Sequence, residues 1–385
     1  MMRAPAFPAF CALALVLLLL VLPTHIRARN SGTLLFIGWT FISILILFVN
    51  SLVWAGNISN PAPVWCDISS KMIIGANSGV PAASLCISRR LYLILHPRYA
   101  HSDASTKRRA IMLDLATGLG IPVLAMILHT VVQGHRYDII EDIGCYPTTY
   151  ATLLSVPMVY IWPILLAFIS FTYSTLTVTE LVNRRRQFSS VLSSSRSGLN
   201  TSQYFRLMAL AATDVLFSLP LGVFILITNL RMRQNPWISW EDTHQNFGRI
   251  NFFPWASVEI RPSFLVLLQI VRWSPPALGV VFFVYFGIAG EATAEYRRWF
   301  WAVAGLFGVK QKNGPGYGAN RPNYVVSHPP SAVRNVSFPS PRPTNSLDRA
   351  PKNDIESQFH SRDSLGLDNL NKPNDLGASK PPGLN

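Results

Sequence analysis

The sequence predicts an all-α membrane protein, a bundle of seven transmembrane helices followed by a disordered carboxyl-terminal tail, on three observations. Half of the 385 residues are hydrophobic and only 14% are charged, a balance that a water-facing globular surface does not support. Apolar runs of about 20 residues, enough to cross roughly 30 Å of hydrocarbon as a helix, recur over the first three quarters of the chain. Basic residues gather in alternate connections between those runs.

Taken in order, the runs fall at about 5–23, 32–55, 66–95, 111–132, 153–180, 206–229 and 264–290. Lipid offers no partner to bare backbone, and the runs are too long and too continuously apolar for barrel strands, so each is expected to be an α-helix. The first, "FPAFCALALVLLLLVLP", is followed by Arg27 and Arg29 and by no small-residue cleavage site, which favours a retained span over a signal peptide. The third opens with Asp67 and Lys71, spaced i,i+4 with the acid first as in a local salt bridge, and closes on Arg89 and Arg90. Such a charged pair belongs at a membrane edge, in a wet cavity, or against an acid from another segment. The fourth run carries Asp114, Gly118, Gly120 and Pro122. The sixth contains Asp214 and Pro220, and the seventh Arg272, Pro275 and Pro276; the prolines remove backbone bonds and mark kinks or pivots. Asp214 and Arg272 enter their helices from opposite sides, each must face the bundle interior, and they can pair directly only near mid-membrane. The amides Asn50, Asn77 and Gln269 and the lone His129 suit interhelical hydrogen bonding. Residues 291–309 are expected to form a juxtamembrane helix. From 310 the chain is rich in Pro, Asn, Ser and Gly and too polar to offset its ordering entropy.

A net charge of +14 invites a nucleic-acid reading, and its distribution removes the need for one. With the amino terminus outside, the three inner loops hold Arg27, Arg29, Arg89, Arg90, Arg98, Lys107, Arg108, Arg109, Arg184, Arg185, Arg186, Arg196 and Arg206 against one acid, Asp103. The outer segments are balanced. This is the positive-inside pattern, with a cytoplasmic carboxyl terminus and basic loops facing membrane lipids. The outer segment 231–263 departs from it, holding Arg231, Arg233, Arg249 and Arg261.

Of four cysteines, Cys11 and Cys86 lie inside spans, while Cys66 and Cys145 both fall on the outer side, where a disulfide persists. A bridge between them would tie the loop before the fifth span to the bundle. Of the sequons at Asn57, Asn200 and Asn335, this topology places only Asn57 outside.

The stretches "NSLVWAGN", "PVWCDISSK", "GVPAASLCISRRLY", "RRRQFSSVLSSSRSGLNTSQYFRLMALA" and "VRWSPPALGVVFFVYFGIAGEATAEYRRWF" resemble the fungal receptors for farnesylated mating pheromones, the class D seven-helix receptors coupled to heterotrimeric G proteins, in their basidiomycete branch. The resemblance runs from about residue 5 to 305; the fourth span, the outer loops and the tail carry no matching motif. It implies a plasma-membrane receptor whose partners are a farnesylated peptide pheromone and a G-protein α subunit; a homodimer remains compatible with it. The cytoplasmic contact to the G protein would then involve Arg89, Arg90, Arg98, Arg184, Arg185, Arg186 and Arg206. Asp214 and Pro220 would belong to the switch. Outside, the aromatic-rich loop with Trp237, Trp240, Phe247 and Trp255 suits an interfacial belt or a cover over an apolar ligand, with Arg272, Asn77 and His244 as donors to the peptide. No metal or other cofactor is implied. A polytopic transporter or channel is the alternative, for which internal repeats or charge rings are expected, and no repeat is visible. An intramembrane enzyme would need clustered catalytic residues, whereas only His129 among eight histidines lies in a span.

Overall fold

The computed structural model describes residues 6–28, 30–95, 104–183 and 201–306. The chain divides into two units, 1–313 and 314–385, and the second lies outside the described residues, as does the expected disordered tail.

Among the described residues, seven long helices build the first unit. They are α1 (Ala6–Ala28), α2 (Ser31–Val53), α3 (Pro63–Leu95), α4 (Ala104–Leu115, a π-helical turn at Ala116–Gly120, then Ile121–Val131), α5 (a π-helical turn at Val156–Tyr160 running into Ile161–Asn183), α6 (Thr201–Leu230) and α7 (Pro262–Phe286). A shorter α8, Gly290–Leu306, follows. All of these except α3 and α8 are long and apolar enough to cross a membrane. Outward faces such as Leu216 and Phe217 on α6 are strongly exposed apolar surface, as lipid-facing positions are.

The third helix is polar for a reason visible in its packing. It touches α2, α4, α5 and α6, and its buried residues run from Cys66 to Leu95. A helix surrounded by helices needs small surfaces for close approach more than it needs lipid solubility. Its central stretch is rich in Gly, Ala and Ser. At Gly79 a Cβ would come within 2.4 Å of the Trp39 ring of α2, and the Trp39 indole reaches on to donate to the Gly118 carbonyl in the π-helical turn of α4, at 2.8 Å. Gly79 therefore lets α3 close onto that tryptophan, and Gly118, where a Cβ would come within 2.5 Å of Leu35, lets α4 close onto the same helix, α2. On the other side of the bundle, Phe7, Leu18, Phe36, Ile44, Ile87, Tyr204 and Phe282 form a continuous apolar core from α1, α2, α3, α6 and α7.

An all-α reading misses one feature. At the end of the bundle where α2 ends and α3 begins, β1 (Tyr137–Ile140), β2 (Gly144–Tyr146) and β3 (Ile250–Phe253) form a sheet of order β2-β1-β3, antiparallel then parallel. The hairpin turn uses Asp142 and Gly144 at positive φ (63° and 85°), and a Cβ at Gly144 would strike Asn50 and Trp54. Gly at 144 thus lets the hairpin lie flat on the end of α2. There the Asp142 N–H donates to the Trp54 carbonyl, and the Gly56 N–H to the Asp142 carboxylate.

Cys66 and Cys145 are joined in a disulfide, Cα atoms 5.1 Å apart, inside an apolar cluster with Trp54, Tyr137 and Ile139. This end of the bundle is called the disulfide end below, and the other the arginine end.

Candidate functional site

A cavity of about 600 Å³ opens at the disulfide end, within the range of roughly 300–1,000 Å³ usual for small-ligand sites. One wall comes from the start of α3, with Asp67, Ser70 and Lys71, and from the end of α4 with the turn after it, Thr130, Gln133 and Arg136. The facing wall is aromatic: Trp240, His244 and Phe247 from the α6–α7 connection.

Each side chain is held by a traceable contact. Arg136 grips both oxygens of Asp67, at 2.8 and 2.6 Å. The expected Asp67–Lys71 salt bridge is therefore absent. A guanidinium fork matches a carboxylate better than an ammonium one turn away does. Lys71 turns instead to His129, with Nζ 3.1 Å from Nδ1. His129 is buried, and its Nε2 lies 3.0 Å from the Thr148 carbonyl. A carbonyl only accepts, so Nε2 carries the proton, Nδ1 accepts, and the Lys71 ammonium donates.

The aromatic wall is placed by Ser239, whose hydroxyl caps the single turn Trp240–Thr243 by accepting from the Asp242 N–H. His244 stacks on Trp240 at 3.9 Å between ring centroids. Its two ring nitrogens each face a carbonyl at 2.8 Å, that of Trp240 and that of Thr130 at the end of α4.

Of the residues expected at a ligand site, Trp240, His244 and Phe247 line this cavity and four do not. Trp255 donates its indole N–H to Glu259 at 2.6 Å and packs beside the Ile140–Val258–Leu268 cluster, anchoring the connection to α7. Trp237 is exposed on the loop. Arg272 is buried with its guanidinium 3.9 Å above the Phe7 ring, outside the cavity wall. It makes no ion pair with Asp214 among the described residues; the two belong to separate environments. Asn77 is exposed on α3, two turns along the same face from Ser84. Lys71, Gln133 and Arg136 were not singled out from sequence as ligand groups. The signal for Lys71 was present, a basic residue beside an apolar run, and the i,i+4 acid disguised it.

At the arginine end, Arg89 and Arg90 point into the bundle. Arg89 donates to Asp114 of α4 at 2.6 Å and to the Ala110 carbonyl at 3.2 Å, and Ser31 of α2 bonds the other Asp114 oxygen. Arg90 donates to the Asn30 side chain at 3.1 Å. The acid that Arg89 lacks in nearby sequence is thus supplied by the fourth helix. Arg27 pairs with Glu295 of α8, and the Arg206 guanidinium lies 6.0 Å over the Phe286 ring. Arg98, Arg184, Arg185 and Arg186 lie outside the described residues. Asp214 is buried on α6 beside the Ser84 hydroxyl of α3, and one of its oxygens and Ser84 Oγ are both without a hydrogen-bond partner. Next to it, Thr213 and Tyr285 of α7 share a hydrogen bond of 2.9 Å. The α6 helix continues through Pro220, and α7 through Pro275 and Pro276.

Residues 6–307 match the family of pheromone A receptors (STE3). The chain is 42% identical to the pheromone B alpha 2 receptor of Schizophyllum commune over 77% of its own length and 46% of that protein. It is 35% identical to pheromone receptor 1 of Ustilago hordei, over 76% of this chain and 81% of that protein. Similarity extends to the pheromone a factor receptor of Saccharomyces cerevisiae, 24% identical over 77% of this chain and 62% of that one. The chain spans about half the length of the curated Schizophyllum relatives it matches. Because the matched segment takes in all seven long helices, the sheet and the cavity, the chain belongs to the pheromone A receptor (STE3) family.

Proposed function

We propose that the chain is a G-protein-coupled receptor of the plasma membrane that binds a farnesylated peptide mating pheromone and promotes nucleotide exchange on a heterotrimeric G-protein α subunit. In this reading all seven long helices cross the bilayer, the disulfide end faces outside and the arginine end faces the cytoplasm. The observation that carries it is the cavity between the α3–α4 polar groups and the α6–α7 aromatic connection. A ligand there touches α3 and, through that connection, the pair of helices joined by it, so binding can shift the balance between bundle arrangements. The orientation rests on the disulfide, which persists in an oxidising compartment, and on the inner-loop basic excess. The test is GTPγS exchange in membranes carrying the receptor and a fungal α subunit, with synthetic farnesylated peptides. Stimulation by at least one is expected; none, with the receptor present at the surface, refutes the reading.

Affinity in such a site should come mainly from the lipid. A farnesyl chain of about fifteen carbons, at roughly 0.8 kcal/mol per buried carbon unit, contributes on the order of 10 kcal/mol before the entropy of association. Removing the prenyl group is expected to lower potency at least about a hundredfold, some 2.7 kcal/mol. Coincident dose–response curves for prenylated and bare peptide would exclude an apolar lipid site.

Asp214 is assigned to the switch. A buried carboxyl with an unsatisfied oxygen favours whichever bundle arrangement relieves it, and an amide costs less to bury than a carboxylate. Asp214→Asn is therefore expected to keep the amount of folded receptor and to change ligand-independent exchange at least about twofold. Unchanged basal exchange at matched expression would remove Asp214 from the switch.

A further inference from the structure

The cavity holds one charge that the described structure does not neutralise. Asp67 and Arg136 cancel each other in a two-pronged pair. Lys71 has only His129, and the Thr148 carbonyl fixes the His129 tautomer so that it accepts one ammonium hydrogen and returns no negative charge. Among the described residues no carboxylate lies within salt-bridge distance of Lys71. Around it, Ser70 and Gln133 are neutral, and His244 across the cavity has both ring nitrogens directed at carbonyls rather than at Lys71. A half-buried ammonium with two hydrogens left over, facing an aromatic wall, is complementary to an oxygen acceptor.

We propose that Lys71 is a specificity-determining residue that receives a carboxyl-derived oxygen of the ligand, while Trp240 and Phe247 cover the apolar part beside it. This rests on the prenylated-ligand reading above and adds which group of that ligand is read and by which residue. The oxygen belongs either to a free carboxylate or to an ester or amide carbonyl, and both present the same lone pairs to the ammonium. His129 acts only through Lys71, as a positioning residue that aims the ammonium across the cavity.

Three probes separate these sources on the purified full-length receptor: N-acetyl-S-farnesylcysteine, its methyl ester, and N-acetyl-S-farnesylcysteamine, which keeps the lipid and the acetamide but has no carboxyl carbon. Binding is read by displacement or thermal shift. Wild type is expected to bind the cysteamine compound at least about tenfold more weakly than whichever carboxyl form is preferred. A free-acid preference identifies a carboxylate ligand, and an ester preference a neutral carbonyl. Lys71→Met should bring all three probes to within about twofold of one another, by weakening the carboxyl forms and leaving the cysteamine compound unchanged. Because that substitution leaves buried His129 Nδ1 unpaired, Lys71→Gln is the companion: its amide still donates to His129, and it should lose any preference for acid over ester. Lys71→Arg should retain the carboxyl preference. Equal binding of the three probes by wild type, or a carboxyl preference that persists in both Lys71→Met and Lys71→Gln, overturns the assignment and leaves the prenylated-ligand reading standing. Failure of wild type to bind any of the three overturns both.

Discussion

Arg89→Ala is expected to lower the yield of folded receptor at least about fivefold, Asp114→Asn to lower it less, and the double variant to recover part of the loss. The order follows from burial. The Asp114 side chain is 5% exposed and that of Arg89 20%, so deleting the cation strands the deeper charge, whereas deleting the acid leaves an arginine that can extend toward the membrane edge. Breaking a buried pair by removing one partner costs about 3–5 kcal/mol, mostly as the penalty on the group left behind, and removing both relieves it. Ser31 softens the loss of Arg89 but cannot replace a charge. Radioligand or surface-label counts for the four members of the cycle supply the measurement. If Arg89 served only to dock the G protein, Asp114→Asn would leave yield untouched and the double variant would match Arg89→Ala. With α3 no longer held to α4 at the arginine end, Asp114→Asn should also raise ligand-independent exchange.

The pair also shows what a linear reading can and cannot reach. Apolar runs announce helices because lipid permits almost nothing else, and each of the seven runs overlaps one long helix among the described residues, with ends that differ by up to seven residues, as at Ala104. Arg89 was legible as a charge in need of a partner, and Asp114 as an acid in a span. Nothing in a one-dimensional spacing says that the two meet across α3 and α4, since that depends on the helix packing that Gly79 permits against Trp39 and Gly118 against Leu35 of α2. The sheet escaped for a related reason: "YDII" and "INFF" are short, far apart in sequence and joined by parallel pairing that no hairpin turn signals. The cavity inherits that difficulty. Its aromatic wall could be suspected from composition, but which of the four expected aromatic side chains turn inward is decided by the Ser239 cap and by Trp255 being spent on Glu259. Lys71 was hidden by an acid at the textually correct spacing that a better partner, Arg136, had already taken.

Cys66→Ser, Cys145→Ser and the double substitution are expected to be equally harmful, each removing roughly 4 kcal/mol of stability in the chain-entropy account for cysteines 79 positions apart. Non-additivity is the signature, since either single change already opens the bridge. In wild type, non-reducing peptide mapping should show the two cysteine peptides linked; alkylatable thiols at both positions, or single effects that sum in the double variant, would remove the bridge. The consequence for ligand binding should exceed the loss of folded protein. Cys145 sits in β2, paired to Ile139 of β1, which pairs in turn with Phe252 of β3, and its carbonyl accepts from Asn50 of α2 at 3.2 Å. Three residues further on, the Thr148 carbonyl holds the His129 tautomer, and His129 holds Lys71. Opening the bridge therefore loosens the strand that fixes the cavity's charged wall and, through β3, the connection that carries its aromatic one. A receptor lacking the bridge but rescued to normal surface level, by low temperature for example, should still need at least about tenfold more pheromone for half-maximal exchange. Wild-type potency in the rescued receptor would mean that the helices alone hold Lys71 and His244 in place, and that the sheet is a cover rather than a support.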